Sequence, residues 1–406
     1  MNLSACRLVL LIALIPCLFR WLSGHAGRIQ VPDLGILFFC MWGALALMHA
    51  HGFEVSLQPA GMLFIETMGA YLLGRCFIRT AGDFRAMVRM VARLVVLLSP
   101  FALFEWVTNT KPLLSGFGLV FATPELLFET RSGFSRVQGP FSHSIEFGVF
   151  CGSIFALALM TRSSRHSFSV WLMGFVIGGC ALLSMSSASA AILVLLAAIL
   201  GWNWVLSAVQ GRWMILGALL FMAYLVVEFG SNQTPIQFYI SRFTFDPGTG
   251  WWRLLIWEHG SASVRNFPLF GIGLGDWVRP PWMFSASVDN FWLVNAMRYG
   301  LPAFFLLLVS SIWMLVAIAF TGGLNDEVRR YRLAYISSMV ALFLIGCTVH
   351  FWGAIYAWFC FMLGAGGWFI EAGASARVAE RRDAPPVRAR PGFSNPLITN
   401  PSAARI

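Results

Sequence analysis

Long apolar runs follow one another along almost the whole chain, separated by short polar stretches. A helix needs about 20 consecutive apolar residues to cross the hydrocarbon core of a bilayer. Only 11% of the 406 residues are charged, whereas a soluble domain averages about 25%. The pattern therefore predicts an all-α protein, a polytopic bundle of transmembrane helices, and excludes a soluble enzyme. Eleven spans are predicted, at residues 3–19, 34–50, 59–78, 87–106, 144–160, 168–185, 189–206, 213–229, 290–319, 333–351 and 353–371.

Arginines concentrate in alternate connections between these runs, and this alternation predicts how the bundle is oriented. Short connections that face the cytoplasm carry an excess of basic residues. The rule places the N-terminus and the two long connections, 107–143 and 230–289, on the outer face. Residues 1–373 then form the transmembrane domain, and residues 374–406, rich in Ala, Arg and Pro, are predicted to be a disordered cytoplasmic tail. The predicted cytoplasmic arginines before the tail are Arg20, Arg28, Arg75, Arg79, Arg85, Arg89, Arg93, Arg162, Arg165, Arg212, Arg329, Arg330 and Arg332.

Neither the net charge nor the cysteines indicate a soluble partner or a metal site. The net charge is +10, but the basic residues lie mostly in short connections and in the tail, so nucleic acid is not expected as a partner. The eight cysteines show neither CxxC nor metal-ligand spacing. They are expected to be small apolar residues of the spans, without disulfides. We expect no metal and no other cofactor.

The longest polar interval, residues 230–289, combines arginines, carboxylates, a histidine and indoles. We interpret it as an external catalytic loop, because connections this long are usually functional. Arg253 and Trp257 are four residues apart and share a face if the segment is helical, so the indole can hold the guanidinium by a cation–π contact. Arg253 then binds a phosphate group. The alternative is an interfacial arginine that reaches for lipid headgroups. Arg242 and Arg265 lie in the same interval.

A carboxylate at the end of this interval is a candidate general base. Asp289 directly precedes an apolar run, where burial can raise the pKa of a carboxyl group. The alternative is that Asp289 only caps the helix that follows. Glu258 and His259 are the other candidate bases in the interval.

A second polar group stands at the head of the span predicted at 144–160. Arg136, His143 and Glu146 place a cation, an imidazole and a carboxylate there, and His143 and Glu146 are three residues apart, on one helix face. These residues bind substrate in one interpretation. In the other they only begin a helix, with Ser142 or Ser144 as its N-cap.

Glycines and buried charges complete the set of unusual residues. The alternating glycines at 271, 273 and 275 do not follow a strand, so they are not a dinucleotide fingerprint. We interpret them as a loop that approaches other backbone closely. Glu66 and Arg298 lie inside predicted spans, where a charge is costly and usually faces the bundle interior.

Three stretches, taken in order, resemble motifs of the O-antigen ligase and polysaccharide polymerase superfamily, the Wzy- and ExoQ-type membrane proteins. Residues 139–143 are similar to the family's G-x-F-x-H/N element, and Arg253 with Trp257 is similar to its R-x-x-x-W element. Residues 268–275, 289–293 and 300–302 resemble its P-x-x-G-x-G-x-G, H-N-x-x-L and G-L-P/x-G run. The resemblance covers residues 135–305, and the remainder only by the number of spans.

The resemblance implies a glycosyltransferase of the bacterial inner membrane that uses no metal or other cofactor. Such an enzyme transfers glycan, with inversion, from undecaprenyl pyrophosphate to an acceptor hydroxyl on the outer face. The implied partners are the undecaprenyl-pyrophosphate-linked oligosaccharide, the growing glycan acceptor, the lipid bilayer, a chain-length regulator and export proteins. Taken together, the residue patterns and the resemblance predict Arg253, Asp289 and Glu258 as catalytic residues, with the choice of base left open. The predicted substrate-binding residues are Arg136, His143, Glu146, Arg242, Trp257, Arg265 and Asn290.

Two departures from the family's pattern favour a polymerase that joins repeat units of a surface polysaccharide. The ligases carry His where this chain has Asp289, and Arg commonly follows their Ser-x-Ser turn where this chain has Ala188. A ligase that transfers glycan to lipid A–core or to protein is the close alternative. A flippase or transporter of lipid-linked glycan is an alternative of another class. Glu66, Arg75 and Arg298, in or near spans, favour a transporter; the large external loop and the lack of inverted repeats do not.

Overall fold

A computed structural model describes residues 5–161, 168–242 and 247–383, and most of them are helical. A short antiparallel hairpin pairs β1 (Thr130–Arg131) with β2 (Phe134–Ser135). The helical fold class predicted from the sequence is confirmed. The helices are α1 (Ala5–Leu22), α2 (Val31–His51), α3 (Phe53–Phe64), α4 (Ala70–Phe77), α5 (Ala81–Thr108), α6 (Pro112–Phe117), α7 (Ser144–Met160), α8 (Phe168–Leu183), α9 (Ser187–Val205), α10 (Arg212–Gly230), α11 (Pro235–Arg242), α12 (Pro247–Asn266), α13 (Phe291–Ala319), α14 (Asp326–Ile345), α15 (Gly353–Ala365) and α16 (Gly367–Asp383).

Seven segments of the described chain are long and apolar enough to cross a membrane. They are α1, α2, α5, α9, α10, α13 and the segment Gly353–Ser375, which joins α15 to the start of α16. The apolar helices α7 and α8 are shorter. The protein is therefore a multi-pass membrane protein, as the apolar runs predict. The count of eleven spans stays a prediction.

Several predicted spans differ in detail from the helices. The run at 59–78 is divided between α3 and α4 by a π-helical turn, Ile65–Gly69. The span at 290–319 is one helix, α13, with a break at Gly300, whose φ of 80° is non-helical. The span predicted at 333–351 corresponds to α14, which begins and ends earlier. It begins at Asp326 because Asn325 caps the helix by accepting a hydrogen bond from the Val328 amide.

The core of the bundle is formed where α13 packs against α2, α15 against α4, and α7 against α8 and α14. Bulky side chains such as Phe39, Phe147, Tyr335 and Phe359 are fully buried there. Helix α10 stands apart from this core, and none of its residues is buried. The bundle therefore has a tightly packed body and one loosely attached helix.

The two long connections contain regular structure. Residues 230–289, predicted to be a loop, hold α11 and the 20-residue α12. Residues 107–143 hold α6 and the β-hairpin. Helix α16 extends to Asp383, past the predicted start of the tail at residue 374, and residues 384–406 lie outside the described chain.

Connections predicted to share a membrane face also meet in the structure. At one end of the bundle, the amide of Val137 donates to the Leu183 carbonyl and the amide of Phe291 donates to the Gly346 carbonyl. At the other end, Arg79 pairs with Glu371 at 2.7 Å. We call the first end, which carries α11, α12 and the hairpin, the α12 end, and the second the α16 end. Which end faces the cytoplasm stays a prediction.

Candidate functional site

Arg253, predicted to lie in an external loop, is a buried residue of helix α12. Its side chain is 8% exposed, and Nη1 donates a hydrogen bond to the Ile240 carbonyl of α11 at 3.4 Å. Burial lowers the pKa of the guanidinium, while the nearby Asp289 carboxylate raises that pKa. This burial in protein disfavours the interpretation of Arg253 as an anchor in the headgroup region. Trp257 is half-buried one turn later, as the four-residue spacing predicts, and its stacking on Arg253 stays a prediction.

Arg131 is the residue of this region that the sequence reasoning missed. It lies in β1, is half-buried, and its Nη1 donates to the Met185 carbonyl at 3.1 Å. Burial, and to a smaller extent the positive charge of Arg131, lower the pKa of Arg253 and the pKa of Arg136. Arg131 is therefore close enough to repel both Arg253 and Arg136, which come from two different long connections. The only signal in the sequence was that Arg131 precedes Arg136 by five residues.

Arg136 is positioned by neighbours on both sides. Its Nη1 pairs with Glu129 at 2.5 Å, and its Nε donates to the Ser184 carbonyl at 3.3 Å. Its Nη2 is buried and has no hydrogen-bond partner among the described residues. A hydrogen bond from His143, and then the charge of Arg136, lower the pKa of Glu129. Arg136 thus keeps one buried donor available to a ligand.

A buried ion pair holds the backbone beside Arg136. Lys111 and Glu105 are 2.6 Å apart and almost fully buried, and the Lys111 ammonium also donates to the Arg136 carbonyl at 2.9 Å. Glu105 accepts hydrogen bonds from the amides of Gln138 and Gly139. Lys111 is the only lysine in the chain, and nothing else in the sequence indicated that it belongs to this region. The pair fixes the segment 136–139 and therefore the position of the Arg136 guanidinium.

His143 and Glu146 both face inward at the start of α7. His143, not Ser142 or Ser144, is the N-cap, since its Nδ1 accepts from the Ile145 amide at 3.1 Å. The prediction of a serine cap was therefore wrong. The Nε2 of His143 is 3.5 Å from Glu129. Glu146 is fully buried and accepts from the Ser142 amide at 3.2 Å.

The pair Asp289–Asn290 divides two roles between neighbours. Asn290 is the N-cap of α13, and its side-chain oxygen accepts from the Leu293 amide at 2.9 Å. The interpretation of Asp289 as this cap is therefore wrong. Asp289 is half-buried, accepts from the Ser287 hydroxyl at 3.1 Å, and attracts Arg253 electrostatically. Its carboxylate thus stands beside the arginine cluster, where the base role requires it.

An open cavity of about 470 Å³ adjoins these residues. Its wall includes Val288, next to Asp289, together with His350, Trp352 and Arg298. The Trp352 ring is 5.4 Å from the His350 ring and 6.3 Å from the His143 ring, so it connects the cavity to the residues around Arg136. Burial, and then the charge of Arg298, lower the pKa of His350 to about 3. His350 is therefore a neutral imidazole in the cavity wall.

The loop of alternating glycines approaches the break in α13, and its residues Ile272, Leu274 and Gly275 line this cavity. The amides of Ile272 and Gly273 donate to the carbonyls of Met297 and Arg298 at 2.8 and 3.0 Å. A Cβ on Gly271 would collide with the Met297 carbonyl, and one on Gly300 with the Leu269 carbonyl. The prediction of a close-approach loop is confirmed. The loop and the helix break together shape the side of the cavity.

Three of the sequence-predicted site residues stand away from this cluster. The side chains of Glu258 and Arg265 are exposed, and neither side chain has a hydrogen bond or ion pair within the described chain. Arg242 is exposed and lies over the Phe238 ring at 5.4 Å. Of the candidate bases, Asp289 is the one whose charge acts on Arg253.

The charges that favour a transporter are mostly held by partners within the protein. Glu66 pairs with Arg7 at 2.7 Å. Arg75 is 3.4 Å from Asp33 and 2.9 Å from Glu371, and donates to the Ala26 carbonyl. These contacts give Glu66 and Arg75 structural roles, which weakens the argument for transport.

Among the described residues, no group of three or more His, Cys, Asp or Glu side chains is arranged to hold a metal ion. No protein-family model matches the sequence, and no curated protein is significantly similar to it. The functional argument therefore depends on the arrangement of side chains at the α12 end.

Proposed function

We propose that the protein is a glycosyltransferase of the bacterial inner membrane, which joins undecaprenyl-pyrophosphate-linked oligosaccharides into a surface polysaccharide. The observation that carries the proposal is the approach of Arg131, Arg136 and Arg253 at one end of a membrane bundle, next to an open cavity. Partly buried arginines that have a further positive charge beside them are stabilised by a bound anion. A pyrophosphate at a bilayer surface is an anion of suitable charge and position.

The arginines supply what a pyrophosphate leaving group needs. As the bond between the anomeric carbon and the phosphate oxygen breaks, negative charge develops on the pyrophosphate. Guanidinium groups already in place stabilise that charge without reorganising, and they act more strongly where water is partly excluded. Arg253 is 8% exposed, so its interaction with a bound phosphate is weakly screened. The polyprenyl chain remains among the apolar helices.

Asp289 is the proposed general base. The acceptor hydroxyl oxygen attacks the anomeric carbon, its proton passes to Asp289, and the pyrophosphate leaves with the bonding electron pair. A single displacement of this kind inverts the configuration at the anomeric carbon. The reaction needs only weak base assistance, because the leaving group is already stable as an anion. The half-buried position of Asp289 next to Arg253 supports this role.

A ligase that delivers glycan to lipid A–core or to protein uses the same chemistry with another acceptor. The presence of Asp289 and Ala188, where ligases of the resembling family carry His and Arg, favours the polymerase. The internal ion pairs of Glu66 and Arg75 disfavour the transporter.

Reconstitution tests these alternatives directly. The purified protein is placed in proteoliposomes with undecaprenyl-pyrophosphate-linked oligosaccharide, and the glycan products are separated by length. We expect a ladder of repeat units and release of undecaprenyl pyrophosphate, unchanged by EDTA. Activity lost in EDTA and restored by magnesium would contradict the metal-independent mechanism. Glycan found on lipid A or protein identifies a ligase, and movement of the donor without bond formation identifies a transporter.

The proposal also requires the α12 end to face the outside. A reporter active only in the cytoplasm, fused after Gly373, is expected to be active, and the same reporter inserted between α11 and α12 is expected to be silent. The reverse result would separate the arginine cluster from a donor presented on the outer face.

A further inference from the structure

A second, larger cavity lies away from the candidate site, between α10 and the body of the bundle. Its volume is about 1330 Å³, which exceeds the roughly 300–1,000 Å³ of ordinary small-molecule pockets. Its walls come from α9, α10 and α14 and are mainly aliphatic, with Ile199, Leu216, Leu220 and Val340 among them. We call this space the α10 cleft.

Arginines gather at one mouth of the α10 cleft, towards the α16 end. The charged residues that line it are Arg212, Arg329, Arg330, Arg332 and a single carboxylate, Asp326. Arg332 is engaged with the Thr321 carbonyl at 2.6 Å, and Arg212 uses its Nε and Nη1 within the protein, with Asn203 Oδ1 at 3.2 Å as one acceptor. The Nε of Arg330 is buried and has no hydrogen-bond partner among the described residues. The mouth therefore has an excess of positive charge and a buried donor without an acceptor in the described part of the chain.

Helix α10 forms one wall of the cleft without being packed against the other wall. None of its residues is buried, although it is long and apolar enough to span a membrane. An apolar occupant is needed to fill the space between α10 and α14, because open apolar surface in contact with water is unfavourable. Bilayer lipid is the apolar material present at that depth. The arginine mouth then selects among lipids by the charge of the headgroup.

We infer that the α10 cleft binds one anionic phospholipid, with its phosphate at Arg212 and Arg330 and its acyl chains between α10 and α14. The headgroup supplies the acceptor that the Arg330 Nε lacks, and the chains supply the contacts that α10 lacks. The bound lipid also acts at a distance. Helix α10 leads into α11, whose Ile240 carbonyl accepts the hydrogen bond from Arg253 of α12. By holding α10, the lipid therefore also helps to hold α11 in contact with Arg253.

Lipid retention by the purified full-length protein tests this inference without any activity assay. The protein is equilibrated in detergent with equimolar phosphatidylglycerol and phosphatidylcholine, and bound lipid is counted by native mass spectrometry. We expect one phosphatidylglycerol per chain and little phosphatidylcholine. The double variant Arg212→Gln/Arg330→Gln is expected to retain at least about tenfold less, since each charge-assisted hydrogen bond lost is worth roughly that factor.

Arg93→Gln is the matched control, because Arg93 is an exposed arginine in the first half of α5 and lies outside the cleft. It is expected to retain lipid like the parent protein. The single variant Arg330→Gln serves if the double variant fails to fold, with a smaller loss expected. Equal retention of phosphatidylcholine, or retention unchanged in the arginine variants, would overturn the inference. Full displacement of the lipid by millimolar inorganic phosphate would also overturn it, because the site would then be one for a free anion.

Discussion

At the α16 end of the bundle, buried arginines are neutralised by carboxylates of the protein itself. Arg75 is 1% exposed and is placed between Asp33 and Glu371, and Arg79 shares Glu371. At the α12 end Arg136 also pairs with Glu129 and Arg253 has Asp289 nearby, but Arg131 adds a third positive charge which, after burial, lowers the pKa of both. Arginines at the α16 end thus form ion pairs that stabilise the fold, whereas those at the α12 end leave positive charge available to a ligand.

This difference suggests how to separate structural from functional arginines in a membrane protein. An arginine whose donors are matched by protein carboxylates contributes to folding, and its loss leaves a buried charge without compensation. An arginine held near other arginines is costly to the folded protein and is stabilised when an anion binds. Substitutions at the α16 end should therefore lower the amount of folded protein, and those at the α12 end should lower turnover.

The largest effect is expected at the α16 end, for Arg75→Met. Removing this partner leaves the fully buried Asp33 without its cation, at a cost of about 3–5 kcal/mol. We expect most of the folded protein to be lost, measured as monodisperse material in detergent by size-exclusion chromatography of a fluorescent fusion. Arg89→Ala, at an exposed position of α5, is the control and should behave like the parent. A normal yield of Arg75→Met would remove the distinction between the two ends.

The next effect is a loss of turnover in Arg253→Lys, expected to be nearly as severe as in Arg253→Ala. A planar guanidinium binds two phosphate oxygens at once, whereas an ammonium acts as a point charge. Losing one such donor costs about 3–4 kcal/mol, or roughly a hundred- to a thousandfold in rate. The measurement is polymer formed per molecule of membrane-inserted protein.

The control for this pair is Arg265→Ala, on the same helix but exposed, with a rate expected to stay within about twofold of the parent, as for most surface substitutions. If Arg253→Ala inserts normally and polymerises at the parental rate, the phosphate ligand has to be sought in Arg131 and Arg136.

A smaller loss is expected for Arg131→Gln, about ten- to a hundredfold in kcat/KM, because one hydrogen bond to a charged group is worth about 1.5–3 kcal/mol. Its repulsion of Arg253 and Arg136 is removed at the same time. The variant should therefore be at least as stable as the parent, which thermal unfolding in detergent can measure. A variant that is less stable and equally active would assign Arg131 to folding, like the arginines of the other end.

The last prediction is a pH dependence, with a small effect per pH unit. Burial lowers the pKa of His350 to about 3, whereas in the unfolded chain the pKa is about 6.5. The unfolded chain therefore takes up the proton first, and the free energy of unfolding falls as the pH drops from about 6.5 toward 3, by at most about 1.4 kcal/mol per pH unit. In His350→Asn this part of the slope should vanish, as followed by thermal unfolding between pH 4 and 8. An identical slope in both proteins would contradict the burial of a neutral imidazole at this end.

The sequence determined the class of fold through the length of its apolar runs. In a bilayer the backbone must satisfy its own hydrogen bonds, so each such run is helical wherever it is placed. The same local reasoning found the close-approach loop, because glycine lacks the Cβ that would collide with the Met297 carbonyl at Gly271 and with the His51 ring at Gly273. It also found that Arg253 and Trp257 lie one helical turn apart on α12.

Tertiary structure alone decided which polar residues meet. The Lys111–Glu105 pair holds residues 136–139, which lie more than twenty residues further along the chain. Arg131 and Arg253 likewise come from different connections. Neither contact is indicated by the sequence of the segments taken singly. His143 was chosen as the helix cap over two serines with higher cap preference. Such choices depend on burial and on charges contributed by residues distant along the chain. Local sequence patterns do not encode these distances, so the arginine cluster became visible only when the hairpin and α12 were brought to the same end of the bundle.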